Sequence, residues 1–282
     1  MIHSIIPGAQ APAVMGVLNV TPDSFSDGGR FSECESALQQ AHSMVEAGAD
    51  CLDIGGESTR PGADPVPLQE ELDRVCPVLE AIRSELDVPL SLDTSTPEVM
   101  REGARLGATL INDVRSLRRE GAVEAVRDSG LPVCIMHMQG EPSTMQQRPA
   151  YDHDVVAEVL AFLRDRTREL VDAGIRGERI MLDPGFGFGK TLEHNLTLLD
   201  RLETITAEGA PVLVGMSRKS MLGKVTGRDV AHRMPASVAA ATVAMMKGAA
   251  VVRAHDVPET VDAARLVRAL EQVQGNREHN DG

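Results

Sequence analysis

Three side chains able to recognise a hydrogen-bonding ligand follow short apolar segments of the chain. They are Asp93, Asn112 and Asp183. A carboxylate such as that of Asp183 can accept two hydrogen bonds from a neighbouring pair of N–H groups, so these residues predict a ligand with many polar edges. Two alternatives stay open: Asp93 could cap a helix that begins near Thr96, or the three oxygen-bearing groups could hold Mg²⁺.

Positive charge is concentrated in two later segments, GMSRKS at 215–220 and RAHD at 253–256. Arg253 offers a planar guanidinium that fits phosphate oxygens, and His255 can lie on the same side if the chain is extended between them. These segments predict a local anion site.

The segment PGFGFGKT at 184–191 ends like a phosphate-binding P-loop. That motif needs glycine at its first position, where this chain has Pro184, which cannot donate an N–H group or take up the required turn. We therefore interpret the glycines as letting the backbone pass close to a flat ligand held by Asp183. His137, between two methionines, is interpreted as part of a packed strand end rather than as a metal ligand.

Two further segments, 21–29 and 55–62, are rich in polar and turn-forming residues. Each alone could be an ordinary solvated turn. If both lie at one face of a barrel, they are expected to close over a substrate and exclude water.

Eight short apolar segments, separated by longer amphipathic stretches, could position all these residues. This alternation is typical of buried parallel strands joined by helices. The segments are 14–18, 51–54, 89–92, 109–111, 132–136, 179–182, 211–215 and 249–252.

An open doubly wound sheet uses the same alternation, but eight evenly spaced units favour a closed (β/α)8 TIM barrel of the α/β class, with its chemistry at the carboxyl ends of the strands. We expect one domain over 1–282, with a barrel core at about 14–273, a frayed tail at 274–282 and a kink at Pro77.

Composition excludes several classes of protein. The net charge of -14 and the aromatic content of 2% argue against a nucleic-acid partner. The four cysteines form no C-x-x-C pair, so a zinc knuckle or a redox motif is not indicated. No apolar run reaches 18 residues and the first ten residues do not resemble a signal peptide, so we expect a cytoplasmic protein that does not bind membranes.

Eight blocks, spread from position 18 to position 257, resemble the ordered motifs of dihydropteroate synthases. They read LNVTPDSFSDGG, DIGGESTRPGA, SLDTS, INDV, MHMQG, LDPGFGFGK, GMSRKSMLG and RAHDV. The resemblance implies a homodimeric transferase of folate biosynthesis and a sulfonamide target. It would condense (7,8-dihydropterin-6-yl)methyl diphosphate with p-aminobenzoate to give 7,8-dihydropteroate and diphosphate, with Mg²⁺ as cofactor.

The resemblance also implies which residues form each part of the site, with Asp93, Asp183, Lys219 and Arg253 as the catalytic ones. The expected pterin-binding residues are Asp93, Asn112, Met136, Asp183, Phe186, Gly187 and Lys219. The diphosphate would contact Asn19, Thr59, Arg253 and His255, and Asn19 would also bind Mg²⁺. The expected p-aminobenzoate-binding residues are Phe25, Ser58, Arg60, Pro61, Phe186, Lys219 and Ser220.

Our mechanistic hypothesis is a dissociative, SN1-like displacement that needs no protein nucleophile. Two other functions stay open. A pterin-dependent methyltransferase barrel would share the acidic pocket but has less use for the Arg253 and His255 corner. A non-catalytic pterin- or nucleotide-binding module would bind without forming product.

Overall fold

The barrel is seen in a computed structural model, which describes residues 2–20, 29–58, 65–140, 145–146 and 149–280, without the side chains of 29–32 and 274–280. Eight parallel strands form one sheet in the order β6-β5-β4-β3-β2-β1-β8-β7. The strands are β1 Ala13–Asn19, β2 Cys51–Gly55, β3 Leu90–Asp93, β4 Leu110–Asp113, β5 Val133–Met136, β6 Ile180–Asp183, β7 Leu213–Val214 and β8 Val251–Ala254. Each lies within one of the predicted apolar segments or overlaps it.

The sheet closes between its two outer strands. Leu182 of β6 forms a parallel bridge with Val212, next to β7, and its amide donates to the carbonyl of Pro211 at 2.9 Å. The prediction of a (β/α)8 TIM barrel in a single domain is therefore confirmed, and the open doubly wound alternative is wrong.

Helices cover the outside of the sheet and connect its strands. They are α1 Gly29–Glu46, α2 Leu68–Glu85, α3 Pro97–Arg105, α4 Ala122–Ser129, α5 Val155–Asp172, α6 Leu192–Asp200, α7 Glu203–Thr206, α8 Ser220–Thr226, α9 Met234–Met246 and α10 Val257–Asn280.

Two of these helices contain positions singled out in the sequence. Helix α2 runs from Leu68 to Glu85 with Pro77 inside it. Helix α10 is assigned from Val257 to Asn280, and the fraying of 274–282 stays a prediction.

The interior of the barrel is divided into an apolar floor and a polar mouth. At the amino ends of the strands, inward-facing apolar residues pack against Ile2, Ile5 and Ile6 from the segment that precedes β1. These strand residues are Met15, Cys51, Leu110, Cys134, Met181, Leu213 and Val251. Because side chains alternate across a strand, the next inward positions lie two residues farther on, towards the carboxyl ends.

A larger apolar cluster fills the space between the strands and the surrounding helices. Among the described residues, every helix is too short or too polar to span a lipid bilayer.

Candidate active site

The barrel mouth collects polar residues that are far apart in the sequence. Gly55 of β2 pairs with Asp93 of β3, which pairs with Asn112 of β4. On the other side, Met136 of β5 pairs with Asp183 of β6. These neighbouring positions at the strand ends place two carboxylates and one amide around a single opening, as predicted from the sequence.

Arg253 of β8 is held by two carboxylates inside this opening. Its Nε donates to Asp53 Oδ2 at 2.5 Å, and its Nη2 donates to Asp93 Oδ2 at 2.9 Å. Asn112 Nδ2 also donates to Asp53 Oδ2, at 3.1 Å. Burial alone would lower the pKa of Arg253, but the two carboxylates raise it above its usual value, so the guanidinium stays charged.

Burial raises the pKa of Asp93 to about 7, although the charge of Arg253 opposes that rise. The guanidinium is therefore the main neighbour that favours the ionised form of Asp93. The cap of helix α3 is Thr96, and Asp93 is instead bound to Arg253, so the helix-cap interpretation of Asp93 is wrong.

Lys219 lies on the turn after β7, the strand paired with the β8 strand of Arg253. Its Nζ donates to the carbonyl of Phe186 and sits 4.4 Å from the centre of the Phe188 ring, a cation–π contact. Burial lowers the pKa of Lys219 to about 8, although Asp183 acts in the opposite direction. The pKa of Asp183 is raised by burial and is lowered again in part by Lys219, so the two groups support each other's charge.

The two phenylalanines of the glycine-rich turn have different environments. Phe186 is 0% exposed and belongs to the apolar cluster outside the barrel. Phe188 is half-buried and packs against a small apolar cluster that includes Met136 and Met138. Phe186 therefore contributes its carbonyl to the mouth through Lys219, while the aromatic ring that lies beside Lys219 belongs to Phe188, which the sequence analysis missed.

Two glycines of this turn are required by protein contacts. Gly185 and Gly189 have φ of +71° and +64°. A Cβ atom at Gly185 would lie 1.9 Å from the carbonyl oxygen of His137, and one at Gly189 would lie 2.6 Å from that of Gln139. These two glycines thus allow the turn to pass close to the end of β5. Gly187 is the one whose Cβ would face Lys219, 3.1 Å from its Cδ. A close approach of this turn to a flat ligand stays a prediction.

The lysine of the P-loop-like segment is enclosed by its own turn. Lys190 Nζ donates to the carbonyls of Gly185 at 2.9 Å and Phe188 at 3.1 Å, and it contacts His137 Nδ1 at 2.9 Å. Burial lowers the pKa of Lys190 to about 7. Burial also lowers the pKa of His137, to about 3, so the imidazole is neutral and can accept from Lys190. Lys190 is therefore not directed at a phosphate, and His137 is a packed residue of the strand end, as predicted.

The remaining predicted residues are located as follows. His255 Nδ1 lies 3.0 Å from Ser217 Oγ, at the junction between the turns after β7 and β8. Asn19 ends β1 and is half-buried, Ser58 is half-buried after β2, and Ser220 is exposed at the start of α8. Phe25, Thr59, Arg60 and Pro61 lie outside the described residues, as do most of the two segments predicted to cover the site.

Known proteins are similar to this chain in sequence and in architecture. The family described as "Pterin binding enzyme" matches residues 15–255. The dihydropteroate synthase of Escherichia coli K12 is 52% identical over 268 residues, covering 95% of each chain. The chain belongs to the dihydropteroate synthase family.

Solved structures of dihydropteroate synthases agree with the fold. A Yersinia pestis dihydropteroate synthase in a sulfonamide drug complex has a TM-score of 0.88 at 52% identity, covering 93% of this chain and 94% of that one. A Xanthomonas albilineans dihydropteroate synthase with 4-aminobenzoic acid has a TM-score of 0.87 at 49% identity, covering 92% and 93%. The predicted family is therefore confirmed, and so is the predicted transferase class.

Asp53 belongs to this site but is absent from the site residues that the sequence predicted. It accepts hydrogen bonds from both Arg253 and Asn112. The alternation of side chains along β2 indicates this role. A charged residue two positions after an inward-facing cysteine must also face inward.

The donor set of the barrel mouth limits how a metal could be held. Within the described ranges, no group of three or more His, Cys, Asp or Glu side chains is arranged to bind a metal ion. Mg²⁺ commonly binds through one or two protein oxygens together with substrate phosphate oxygens and water. The amide oxygen of Asn19 at the barrel mouth fits that second arrangement.

Proposed function

We propose that the barrel mouth condenses (7,8-dihydropterin-6-yl)methyl diphosphate with p-aminobenzoate to form 7,8-dihydropteroate and diphosphate. The observation that carries this proposal is the meeting of Asp93, Asn112 and Asp183 with Lys219 and Arg253 in one opening. Acidic and amide groups suit the polar edge of a pterin, while the two cations suit the carbonyl and the diphosphate of the same substrate.

The pterin would bind deepest, between the carboxylates and the turn after β6. Asp183 Oδ1 already accepts from the amide of Gly185 at 2.7 Å, which orients the carboxylate. Its remaining lone pairs can accept from two N–H groups of the ligand. Asn112 and Asp93 would accept or donate along another edge. Met136 and Gly187 would bound the ring, and Phe188, rather than the side chain of Phe186, would supply the aromatic wall.

The diphosphate would lie at the basic corner, against Arg253 and His255, with Thr59 and Asn19 as further contacts. Asn19 would also be the protein ligand of Mg²⁺, whose other ligands would be diphosphate oxygens and water. When bound, Mg²⁺ supplies positive charge that stabilises the departing anion.

The p-aminobenzoate would enter last, near Ser220, Lys219 and Ser58, with Phe25, Arg60 and Pro61 contributing from outside the described ranges. The Xanthomonas albilineans relative binds 4-aminobenzoic acid, which supports this choice of second substrate. The exposed position of Ser220 at the start of α8 suits a carboxylate near solvent.

The mechanism we propose is dissociative. The bond between the pterin methylene carbon and the diphosphate oxygen breaks first, and its electron pair leaves with the oxygen. The aniline nitrogen then donates its lone pair to the methylene cation, and the proton that this nitrogen loses passes to water. Asp93 and Asp183 would stabilise the cation and Arg253 the anion, and preorganised charges of this kind are worth about 3 kcal/mol each in catalysis.

A single incubation tests the function. The protein is mixed with the pterin diphosphate, Mg²⁺ and p-aminobenzoate, and dihydropteroate and diphosphate are measured over time. Equal amounts of the two products support the synthase. Binding without product would favour a pterin-binding module, and methyl transfer to a corrinoid protein without dihydropteroate would favour a methyltransferase.

We also propose a cytoplasmic homodimer. Helices α9 and α10 pack side by side and expose large apolar side chains, namely Val243, Met246, Leu266, Leu270 and Val273. Exposed apolar patches of this kind mark interaction surfaces. All four cysteines are free thiols, as expected in a reducing compartment.

A further inference from the structure

The two ion pairs of Arg253 differ in depth and in the atoms that they use. Asp53 is 0% exposed and contacts Nε, the nitrogen nearest the main chain, whereas Asp93 lies farther towards the mouth and contacts the terminal Nη2. The register explains the difference, because Gly55, two residues after Asp53, is the strand partner of Asp93.

We propose that Asp53 is a positioning residue that holds Nε of Arg253 in both the free and the bound enzyme, while the terminal nitrogens exchange Asp93 for the diphosphate of the substrate. This inference rests on the proposed function, in which Arg253 binds diphosphate and Asp93 binds the pterin.

The geometry favours exchange at one end of the guanidinium only. A guanidinium is planar and carries its five N–H groups in a fixed fork, so a bond at Nε sets the plane in which both terminal nitrogens point. A ligand at the mouth can reach Nη2 and Asp93, whereas Asp53 lies below the arginine and is closed to solvent.

The exchange links the two halves of one substrate. In the free enzyme, Asp93 Oδ2 is occupied by Arg253. Withdrawal of Nη2 to the diphosphate would free that oxygen for an N–H group of the pterin. A substrate that carries both the pterin and the diphosphate would therefore bind with a more favourable free energy than the sum for the two parts bound separately.

Asp53 also determines which end of the Asn112 amide faces the ligand. An ionised carboxylate only accepts hydrogen bonds, so Asn112 must turn its Nδ2 towards Asp53, as observed at 3.1 Å. The amide oxygen of Asn112 is then left to accept from the pterin. Asp53 thus orients two substrate-binding side chains without touching the substrate itself.

The test compares two ligands in the absence of p-aminobenzoate, so that no turnover occurs. Calorimetry with Mg²⁺ measures the affinity for 6-hydroxymethyl-7,8-dihydropterin and for its diphosphate ester. In Asp53→Asn we expect the affinity for the ester to fall about tenfold or more, the range of one lost hydrogen bond to a charged group. The affinity for the hydroxymethyl compound should fall by a clearly smaller factor, because an amide oxygen at position 53 can still accept from Asn112 and keep its orientation. Equal losses for both ligands would refute the assignment, since general damage to the mouth affects both.

The matched control is Asp50→Asn, at the opposite end of the same strand region. Asp50 likewise pairs with an arginine, Arg268, at 3.3 Å, and accepts from the amide of Val14 at 2.8 Å. We expect both ligand affinities to be unchanged in this variant. A double-mutant cycle adds a second check: on an Arg253→Lys background, which lacks Nε–H, Asp53→Asn should cause no further selective loss of the ester.

A measurement on the unmodified protein covers the case in which Asp53→Asn does not fold. With ¹⁵N-labelled arginine, the Nε–H signal of Arg253 is assigned by its loss in Arg253→Lys. It should be protected from hydrogen exchange both without ligand and with the diphosphate ester. If the Nε–H group of Arg253 lost its protection when the ester binds, the proposal that Asp53 holds Nε in the bound enzyme would be refuted. If the unmodified protein makes dihydropteroate but Asp53→Asn keeps its selectivity for the ester, the role of Asp53 is refuted and the proposed function stands. If the unmodified protein forms no product, the proposed function itself is refuted.

Discussion

The floor and the mouth of the barrel are built by the same strands, two residues apart, yet they differ in chemistry. In β2 the floor residue is Cys51 and the next inward residue is Asp53; in β8 the corresponding residues are Val251 and Arg253. The floor is closed by isoleucines that precede β1, whereas the mouth holds charges that burial disfavours. One alternating pattern therefore serves stability at one end and recognition at the other.

The difference is energetic as well as chemical. Each isoleucine buried at the floor contributes about 1.5–3 kcal/mol to folding. At the mouth, by contrast, Asp53 Oδ1 is buried without a hydrogen-bond partner and the pKa of Asp183 is raised by burial. Buried groups of this kind reduce stability, so substitutions at the two ends should affect different measurements.

The largest effect is expected at the mouth, from Asp183→Asn. The substitution removes a charged acceptor of two pterin N–H groups, each worth about 1.5–3 kcal/mol, so pterin affinity should fall about 10²-fold or more. The asparagine oxygen can still accept from the amide of Gly185, so the unfolding free energy should change little. Calorimetry and urea titration measure the two quantities, and near-normal pterin affinity would contradict the role of Asp183.

The floor should respond in the opposite way. Ile6 is fully buried between the strand ends, and Ile6→Ala should lower the unfolding free energy by about 2–5 kcal/mol. The folded protein should bind pterin as before. Urea unfolding measures the first effect. A variant of normal stability that binds pterin poorly would remove the distinction between floor and mouth.

The charge of Lys219 should make binding at the mouth depend on pH. Because burial lowers the pKa of Lys219 to about 8, its ammonium is present below that pH and is lost above it. The affinity for 6-hydroxymethyl-7,8-dihydropterin should therefore fall as pH rises past 8, by up to about tenfold per pH unit if the charge is essential.

The control is Lys219→Arg, whose guanidinium stays charged over this range. The same titration in this variant should be flat above pH 8, and it also corrects for any ionisation of the ligand. A fall that persists in Lys219→Arg would assign the pH dependence to another group, such as Lys190.

The smallest effect is expected from the surface ion pair at the floor end. Arg268 donates to Asp50 and to the carbonyl of Pro12, and both charged side chains are partly exposed. Arg268→Ala should lower the unfolding free energy by no more than about 1 kcal/mol, with dihydropteroate synthesis unchanged. A tenfold loss of activity would show that the two ends are coupled.

The strands were predictable because both faces of a parallel barrel strand are covered, which leaves an unbroken apolar run in the sequence. The ends of the strands were less predictable. The segment 211–215 predicted a full strand, but β7 comprises Leu213–Val214 alone. Pro211 has no N–H group that could donate a hydrogen bond to a neighbouring strand. The hydrophobicity of a segment does not show which of its residues form such bonds, so the predicted strand was too long.

The site was predictable where a polar residue ends an apolar run, as at Asp93, Asn112 and Asp183. Asp53 lies within such a run, and the run itself does not indicate its role. That role depends on a contact with Arg253, which lies 200 residues later in the chain. Phe186 and Phe188 occupy equivalent places in two Gly-Phe-Gly units. Only the path of the turn decides that one ring enters the core and the other enters the mouth.

The enclosed amino group of Lys190 affects how tightly the site can bind a ligand. By joining carbonyls of its own turn to the end of β5, it fastens the wall that carries Phe188 before any ligand arrives. Because this wall is already ordered, it loses little conformational entropy when the pterin binds. The free energy of its contacts with the pterin therefore contributes to affinity and is not used to order a loop.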